Sequence, residues 1–239
     1  MTTAVSFYQP FVQTCSVPCN WISDICKRVY DLAMKMITAI KDCFATRQSL
    51  TTGTTITPLN TRITIPDPKN VIPFYRGLEA NNNHTTLNQI LSWDDGQLEM
   101  VHDYIQWLFP LETPSNFNPT APVIDQATIQ TFRDDSLLKS QLLRSFCRML
   151  TFYGLQMDVA TRVITRAPNF NLRAAVWLTS GNHNFQRITR IIHSLSLLGL
   201  PEYSRAFLTV MQNIASNEGS RVVGSETVGY WQRSYTAPA

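Results

Sequence analysis

Two arginines, Arg187 and Arg190, have the spacing in this sequence that is most suggestive of ligand chemistry. Residues three apart on a helix share a face, and a guanidinium group binds a phosphate or a peptide carboxylate through two parallel hydrogen bonds. Both side chains fall off the apolar stripe of their segment, so we predict an exposed or half-exposed pair. The structural alternative is that they form ion pairs with acids from the first half of the chain, for instance Glu99 or Asp103.

His183 and Asn184 stand directly before this pair, where a helix is predicted to begin. The N-terminus of a helix favours anions, so both residues are candidate ligand contacts beside the arginines. Asn182 and Asn184 are also typical of N-cap and turn chemistry, which leaves a purely structural interpretation open.

The aromatic residues of the stretch HDYIQWLFP, residues 102–110, are the second group of candidates. The spacing predicts a helix from about Asp94 to Phe109 that stops at Pro110. On a wheel of about 100° per residue, one face belongs to the core and holds Leu98, His102, Ile105 and Phe109. Trp107 lies nearly opposite this face, with Tyr104 between. These two rings are either buried between two layers or displayed as a binding surface.

No catalytic or metal motif accompanies these candidates. The sequence lacks the patterns of a phosphate-binding loop, a dinucleotide-binding turn, a hydrolase nucleophile elbow and a zinc protease. Cys15 and Cys19 are not followed by a second ligand pair at zinc-site spacing. Cys147 adjoins an apolar helix face, as a buried thiol does. We therefore expect no catalytic residues, no metal and no cofactor.

Charge is distributed unevenly along the 239 residues, although the net charge is only +3. Residues 67–125 contain eight acids and two bases, whereas residues 126–210 contain ten bases and four acids. Either the two halves of one domain neutralise each other, or the basic half presents a face to an anionic partner. We do not expect that partner to be a nucleic acid.

The N-terminal part, residues 1–65, is expected to form an amphipathic helix at about residues 20–45 and then a Thr- and Pro-rich linker. This basic amphipathic helix could pack on the main domain, pack on a second copy, or rest on a membrane surface. No secretory signal or membrane-spanning run of about 20 apolar residues is present, so we expect a reducing, cytoplasmic location with peripheral membrane attachment as an alternative. The oligomeric state is left open.

Helical patterns dominate from Val71 onward, and no convincing strand pattern interrupts them. We predict an all-α fold, an irregular multi-helix globular domain with proline-rich loops, over residues 66–215. The Gly- and Ser-rich residues 216–239 are expected to be a flexible tail.

Several motifs in the same order resemble the conserved region of the opioid growth factor receptor family. HDYIQWLFPLETPSNFNP looks like its hallmark, PFYR at 73–76 like an early element, RMLTFYGLQM at 148–157 like a helix end, and HNFQRITRIIHSLSLLGL at 183–200 like a later segment. The resemblance covers about residues 71–214. It identifies the chain as a member of this family.

The resemblance implies a non-enzymatic receptor or interaction module that binds a peptide or protein segment. In the vertebrate member the peptide is Met-enkephalin, and the protein is nuclear or perinuclear. No ligand-contact set is carried over by the resemblance. Two alternatives remain open from the residues: a membrane-peripheral or anionic-partner binding protein without an opioid role, as in microbial members, and an uncharacterised enzyme with its site among His183, Arg187 and Arg190.

Overall fold

A computed structural model describes residues 71–158 and 160–235 of the chain. Within these ranges the fold is mostly helical, with one two-stranded antiparallel sheet. The elements in chain order are α1 (Val71–Tyr75), α2 (Leu87–Ser92), α3 (Asp95–Met100), α4 (Ile105–Leu108), α5 (Gln126–Asp134), α6 (Ser136–Phe152), β1 (Leu155–Met157), β2 (Ile164–Arg166), α7 (Phe170–Trp177), α8 (Asn184–Leu197), α9 (Pro201–Ser216) and α10 (Ser225–Ser234). The predicted all-α class is confirmed. The amphipathic helix and linker predicted for residues 1–65 lie outside the described residues.

Two long helices, α8 and α9, form the centre of the domain and pack closely on one another. The apolar stripe of α8 is fully buried and consists of Ile188, Ile191, Ile192 and Leu195. The helix α10 packs against both, and β2 packs against α9. The helix α6 packs against β1, α5, α1 and α2, so it joins the early helices to the sheet.

Local signals in the sequence account for the helix ends. Asp94, Asp125 and Asp135 each begin a helix, and their carboxylates accept hydrogen bonds from first-turn N–H groups. Pro201 occupies the first turn of α9, where its missing N–H costs nothing. After α6, Gly154 adopts a positive φ of 73° that reverses the chain, as its sequence position indicated.

The single helix predicted from Asp94 to Phe109 is wrong. The structure contains α3 and α4, with an extended residue, Val101, at the end of the first (ψ 132°). Because the chain is extended at Val101, the faces of α3 do not continue into α4, and Trp107 is buried, at 3% exposed, on the same short helix that precedes the buried Phe109. His102 is exposed rather than in the core.

The sheet was not predicted. Its two strands have three residues each and pair Leu155 with Arg166 and Met157 with Ile164. Strands this short contain too few positions for an alternating pattern to be recognised, which is why helical periodicity dominated the prediction.

The flexible tail predicted from residue 216 contains α10. Trp231 of this helix is 1% exposed, and its indole N–H donates to the backbone oxygen of Phe185 at 3.0 Å. The Gly- and Ser-rich composition did not indicate a helix, but Trp231 packs α10 against α8. In the part of the chain that the structure describes, no helix is both long and apolar enough to cross a membrane.

Candidate functional site

Arg187 lies inside the domain, with its side chain only 5% exposed. Its guanidinium donates to the backbone oxygens of Leu98 and Val101, at 2.9 Å each, at the C-terminal end of α3. The same group lies 3.8 Å from the carboxylate of Glu99 and over the ring of Tyr104. The prediction that Arg187 is exposed or half-exposed is therefore wrong, and the ion pair with Glu99 that we considered as an alternative is present. Its buried donors are used to end α3 and to hold residues 98–101.

His183 and Asn184 complete this polar cluster around Glu99. The Asn184 side chain donates to one carboxylate oxygen at 3.0 Å, and His183 Nε2 lies 3.4 Å from the other. The side-chain oxygen of Asn182 accepts the backbone N–H of Asn184 at 2.9 Å, so the predicted turn chemistry is confirmed. Partial burial and the positive charge of Arg187 lower the pKa of His183, against the opposing effect of Glu99.

Arg190 also bonds to the backbone of the opening motif. It donates to the oxygen of Phe109 at 2.9 Å, and Ser194, one turn further along α8, donates to that of Pro110 at 3.0 Å. Burial lowers the pKa of Arg190 to about 10. This side chain thus supports the turn that follows α4, where Pro110 can accept but cannot donate.

Tyr104 and Trp107 face the core rather than the solvent. Tyr104 is fully buried between Arg187 and Trp93, and burial raises its pKa to about 12. Trp107 packs against Phe74 with ring centroids 5.1 Å apart. Both rings are buried, so the interpretation of them as an exposed binding surface is wrong. The structure therefore brings five of the six predicted site residues to the contact between α8 and residues 98–110, whereas Trp107 packs against α1.

An open groove lies elsewhere, between the hairpin and α9. Its volume is about 590 Å³. The hairpin contributes Thr161 to Arg166, and the helix contributes Glu202, Arg205, Ala206, Thr209, Val210 and Asn213. This volume falls within the range of roughly 300–1,000 Å³ that is common for ligand sites in proteins.

Three arginines line this groove, and two of them have no carboxylate within 4 Å among the described residues. Arg166 pairs with Glu218 at 2.7 Å. Arg162 and Arg205 instead lie over aromatic rings, at 5.6 and 5.8 Å from the centroids. Arg162 also has a positive φ of 60°, a conformation that costs a residue with a Cβ roughly 1–2 kcal/mol. The groove therefore presents exposed positive charge on a constrained backbone.

The basic residues of the second half of the domain are found in two kinds of environment, in ion pairs with the acidic half and in the groove. Arg148 and Arg173 both contact Asp95, at 2.9 and 3.2 Å, and Arg187 faces Glu99. These pairs confirm that part of the basic half neutralises the acidic half. Arg162 and Arg205 of the groove form no such pair among the described residues. Sequence reasoning missed them, because their only signal was the excess of bases in residues 126–210.

Comparison with known proteins identifies the domain. The family model described as the opioid growth factor receptor (OGFr) conserved region matches residues 69–235, which is more than half of the chain.

The chain belongs to this family.

The matched range includes α10, so the family domain extends beyond the boundary at residue 215 that we predicted. Both the polar cluster around Glu99 and the groove lie within it.

The related proteins match this chain over only a part of their own length. The opioid growth factor receptor of Mus musculus is 41% identical over 115 residues, which are 47% of this chain and 18% of that protein. The receptor of Homo sapiens is 36% identical over 137 residues, 55% of this chain and 20% of the human protein. Opioid growth factor receptor-like protein 1 of Xenopus tropicalis is 32% identical over 126 residues, 52% and 24% respectively.

The chain thus spans about a fifth to a quarter of the length of these relatives. No solved structure matches it with significance.

Proposed function

We propose that this member of the opioid growth factor receptor family is a non-enzymatic module that binds a peptide or protein segment in the groove between β2 and α9. This proposal rests on the open groove and on two arginines in it that have no carboxylate partner among the described residues. An exposed guanidinium that is held in place is well suited to carboxylates and backbone oxygens.

The names of the relatives support the same conclusion. A protein named a receptor implies a ligand, and the name of the mouse and human relatives indicates an opioid growth factor as theirs. The more specific form of the proposal is that the ligand is an opioid-type peptide. The six residues predicted from the sequence are given a structural role in this proposal: His183, Asn184, Arg187, Arg190 and Tyr104 join residues 98–110 to α8, and Trp107 packs against Phe74.

Binding of labelled peptides to the full chain tests the proposal. Trp107, Trp177 and Trp231 are buried, so fluorescence anisotropy of the peptide is a better readout than intrinsic fluorescence. The probes are a pool of random heptapeptides, Met-enkephalin and a shuffled Met-enkephalin. We expect saturable binding from members of the pool, and selective binding of Met-enkephalin over the shuffled peptide if the ligand is of the opioid type.

Matched variants locate the site. Arg205→Ala should weaken binding, because this exposed side chain lines the groove and has no carboxylate partner among the described residues. Arg221→Ala removes one exposed positive charge from a residue that does not line the groove, and should leave affinity unchanged. Equal affinity of the two variants would place the ligand elsewhere, and no saturable binding of any peptide would contradict the proposal as a whole.

A further inference from the structure

We infer that the ligand of this groove binds as an added β-strand along β2, and that it carries acidic side chains that pair with Arg162 and Arg205. This inference rests on the proposed function, since it specifies how the peptide is recognised and what its side chains are.

The hydrogen bonds of the hairpin show which backbone groups of β2 are free to bind a third strand. Asp158 N–H donates to the oxygen of Val163 at 3.0 Å, and Ala167 N–H donates to that of Gly154 at 2.9 Å. In an antiparallel pair such hydrogen-bonded positions alternate with positions whose N–H and C=O groups point away from the partner strand. Ile164 and Arg166 are therefore the outward-facing positions of β2.

These outward groups have no hydrogen-bond partner among the described residues. Ile164 is partly exposed and Arg166 is exposed, so water reaches this edge. An edge strand with unpaired N–H and C=O groups is a template for an extended chain, and several peptide-binding domains use it in this way. Two outward residues offer four backbone hydrogen bonds to such a chain.

The side chains along the groove favour alternating acidic and apolar residues in the ligand. Arg162 and Arg205 supply positive charge, and in the described part of the chain neither has a carboxylate within 4 Å, although Glu202 also lines the groove. Apolar side chains line the same groove, among them Val163, which is 55% exposed, and Val210 of α9. Since successive side chains of a strand point to opposite faces, an added strand can present acids on one face and apolar groups on the other.

The size of the groove sets the length of the segment. On α9 the lining runs from Glu202 to Asn213. At 1.5 Å per residue this is about 16 Å of helix, which equals about five residues of extended chain. The occupant is thus an extended acidic segment, of which about five residues lie in the groove.

An N-methyl scan of a defined peptide tests the backbone part of the inference. The probe is a fluorescein-labelled heptapeptide of alternating Glu and Val, bound to the full chain and measured by anisotropy. Methylation of one backbone nitrogen at a time removes single donors without altering any side chain. Strand addition predicts weakening of about tenfold at every second position within the central segment and little change at the positions between, because loss of one hydrogen bond costs up to about 1.5 kcal/mol.

Side-chain controls test the charge part. A heptapeptide of alternating Gln and Val and one of alternating Lys and Val should bind at least tenfold more weakly than the Glu and Val peptide. Arg162→Ala and Arg205→Ala should reduce this preference, whereas Arg221→Ala should retain it.

Each outcome is informative. Equal weakening by N-methylation at every position would overturn strand addition. Because the peptide would still bind, the proposed function would be unaffected. Equal affinity for the Glu, Gln and Lys peptides would overturn the acidic ligand. Failure of the Glu and Val peptide to bind, while members of the random pool do, would also overturn this inference and leave the proposed function intact. Absence of binding by every peptide would contradict both.

Discussion

Replacement of Arg187 by Ala is the sharpest test of whether the most suggestive arginine is structural. The change removes two hydrogen bonds of 2.9 Å to the carbonyl groups of Leu98 and Val101, and it leaves Glu99 without its closest positive charge. A hydrogen bond from a charged group contributes about 1.5–3 kcal/mol, so the pair contributes about 3–6 kcal/mol. Glu99 is 26% exposed and water compensates it in part, so we expect a loss of about 3–4 kcal/mol in the free energy of unfolding.

Urea unfolding followed by far-ultraviolet circular dichroism measures this loss. Gln186→Ala is the matched control, because Gln186 is exposed on the same helix one residue earlier, and it should change stability by less than about 0.5 kcal/mol. Arg187→Lys should lie between the two, since an ammonium group cannot span both carbonyls as the guanidinium fork does. A loss below about 1 kcal/mol in the Ala variant would refute the structural role.

Three further outcomes follow from particular contacts. Gly154→Ala should cost about 3 kcal/mol and Gly181→Ala about 1 kcal/mol in urea unfolding, because both glycines have positive φ but only the first would place a Cβ 2.8 Å from a backbone atom. Trp231→Ala should cost about 3–5 kcal/mol and lower the thermal midpoint, because its ring is buried and its N–H is bonded. His183→Gln should reduce the loss of stability that the domain shows as the pH falls below about 6.5, measured as the thermal midpoint against pH, and a part should remain because burial also lowers the pKa of His193.

The sign of the pH effect follows from the environment of His183. Burial and Arg187, with a smaller contribution from His102, lower its pKa in the folded state, and Glu99 only partly opposes them. The unfolded chain therefore binds the proton more readily, and acidification through about 6.5 favours unfolding. An unchanged profile in His183→Gln, equal costs for the two glycine variants, or a Trp231→Ala protein as stable as the parent would each contradict the corresponding contact.

The long helices could be predicted from the sequence because their signals are local. The apolar period of α8, from Phe185 to Leu195, and the glycines that follow α6 and α8 set both their faces and their ends. Such signals involve residues within one or two turns of each other.

The break between α3 and α4 has no local signal. The group that ends α3 is the guanidinium of Arg187, which lies 86 residues further along the chain from Val101. A helical wheel assumes continuity, so it assigned His102 to the core and Trp107 to the opposite face. A contact distant in sequence thus ends the helix where the apolar pattern predicted that it would continue. Because Arg187 makes this contact, its role is structural, although the sequence had indicated a ligand residue.

The groove could not be predicted for a related reason. It combines a hairpin with three-residue strands and one face of a helix that begins about 40 positions later. The count of bases in the second half indicated surplus positive charge, but it did not indicate that Arg162 and Arg205 line the same groove. Only the register of β2 reveals which of its backbone groups point outward.

Amide exchange of β2, measured residue by residue by NMR with and without the Glu and Val heptapeptide, tests the central claim most directly. In the free protein the N–H groups of Ile164 and Arg166 should exchange rapidly, whereas that of Thr165, which faces β1, should be slower. With the peptide bound, we predict that Ile164 and Arg166 become protected to the level of Thr165. Saturation with peptide that leaves the exchange of both residues unchanged would contradict the account.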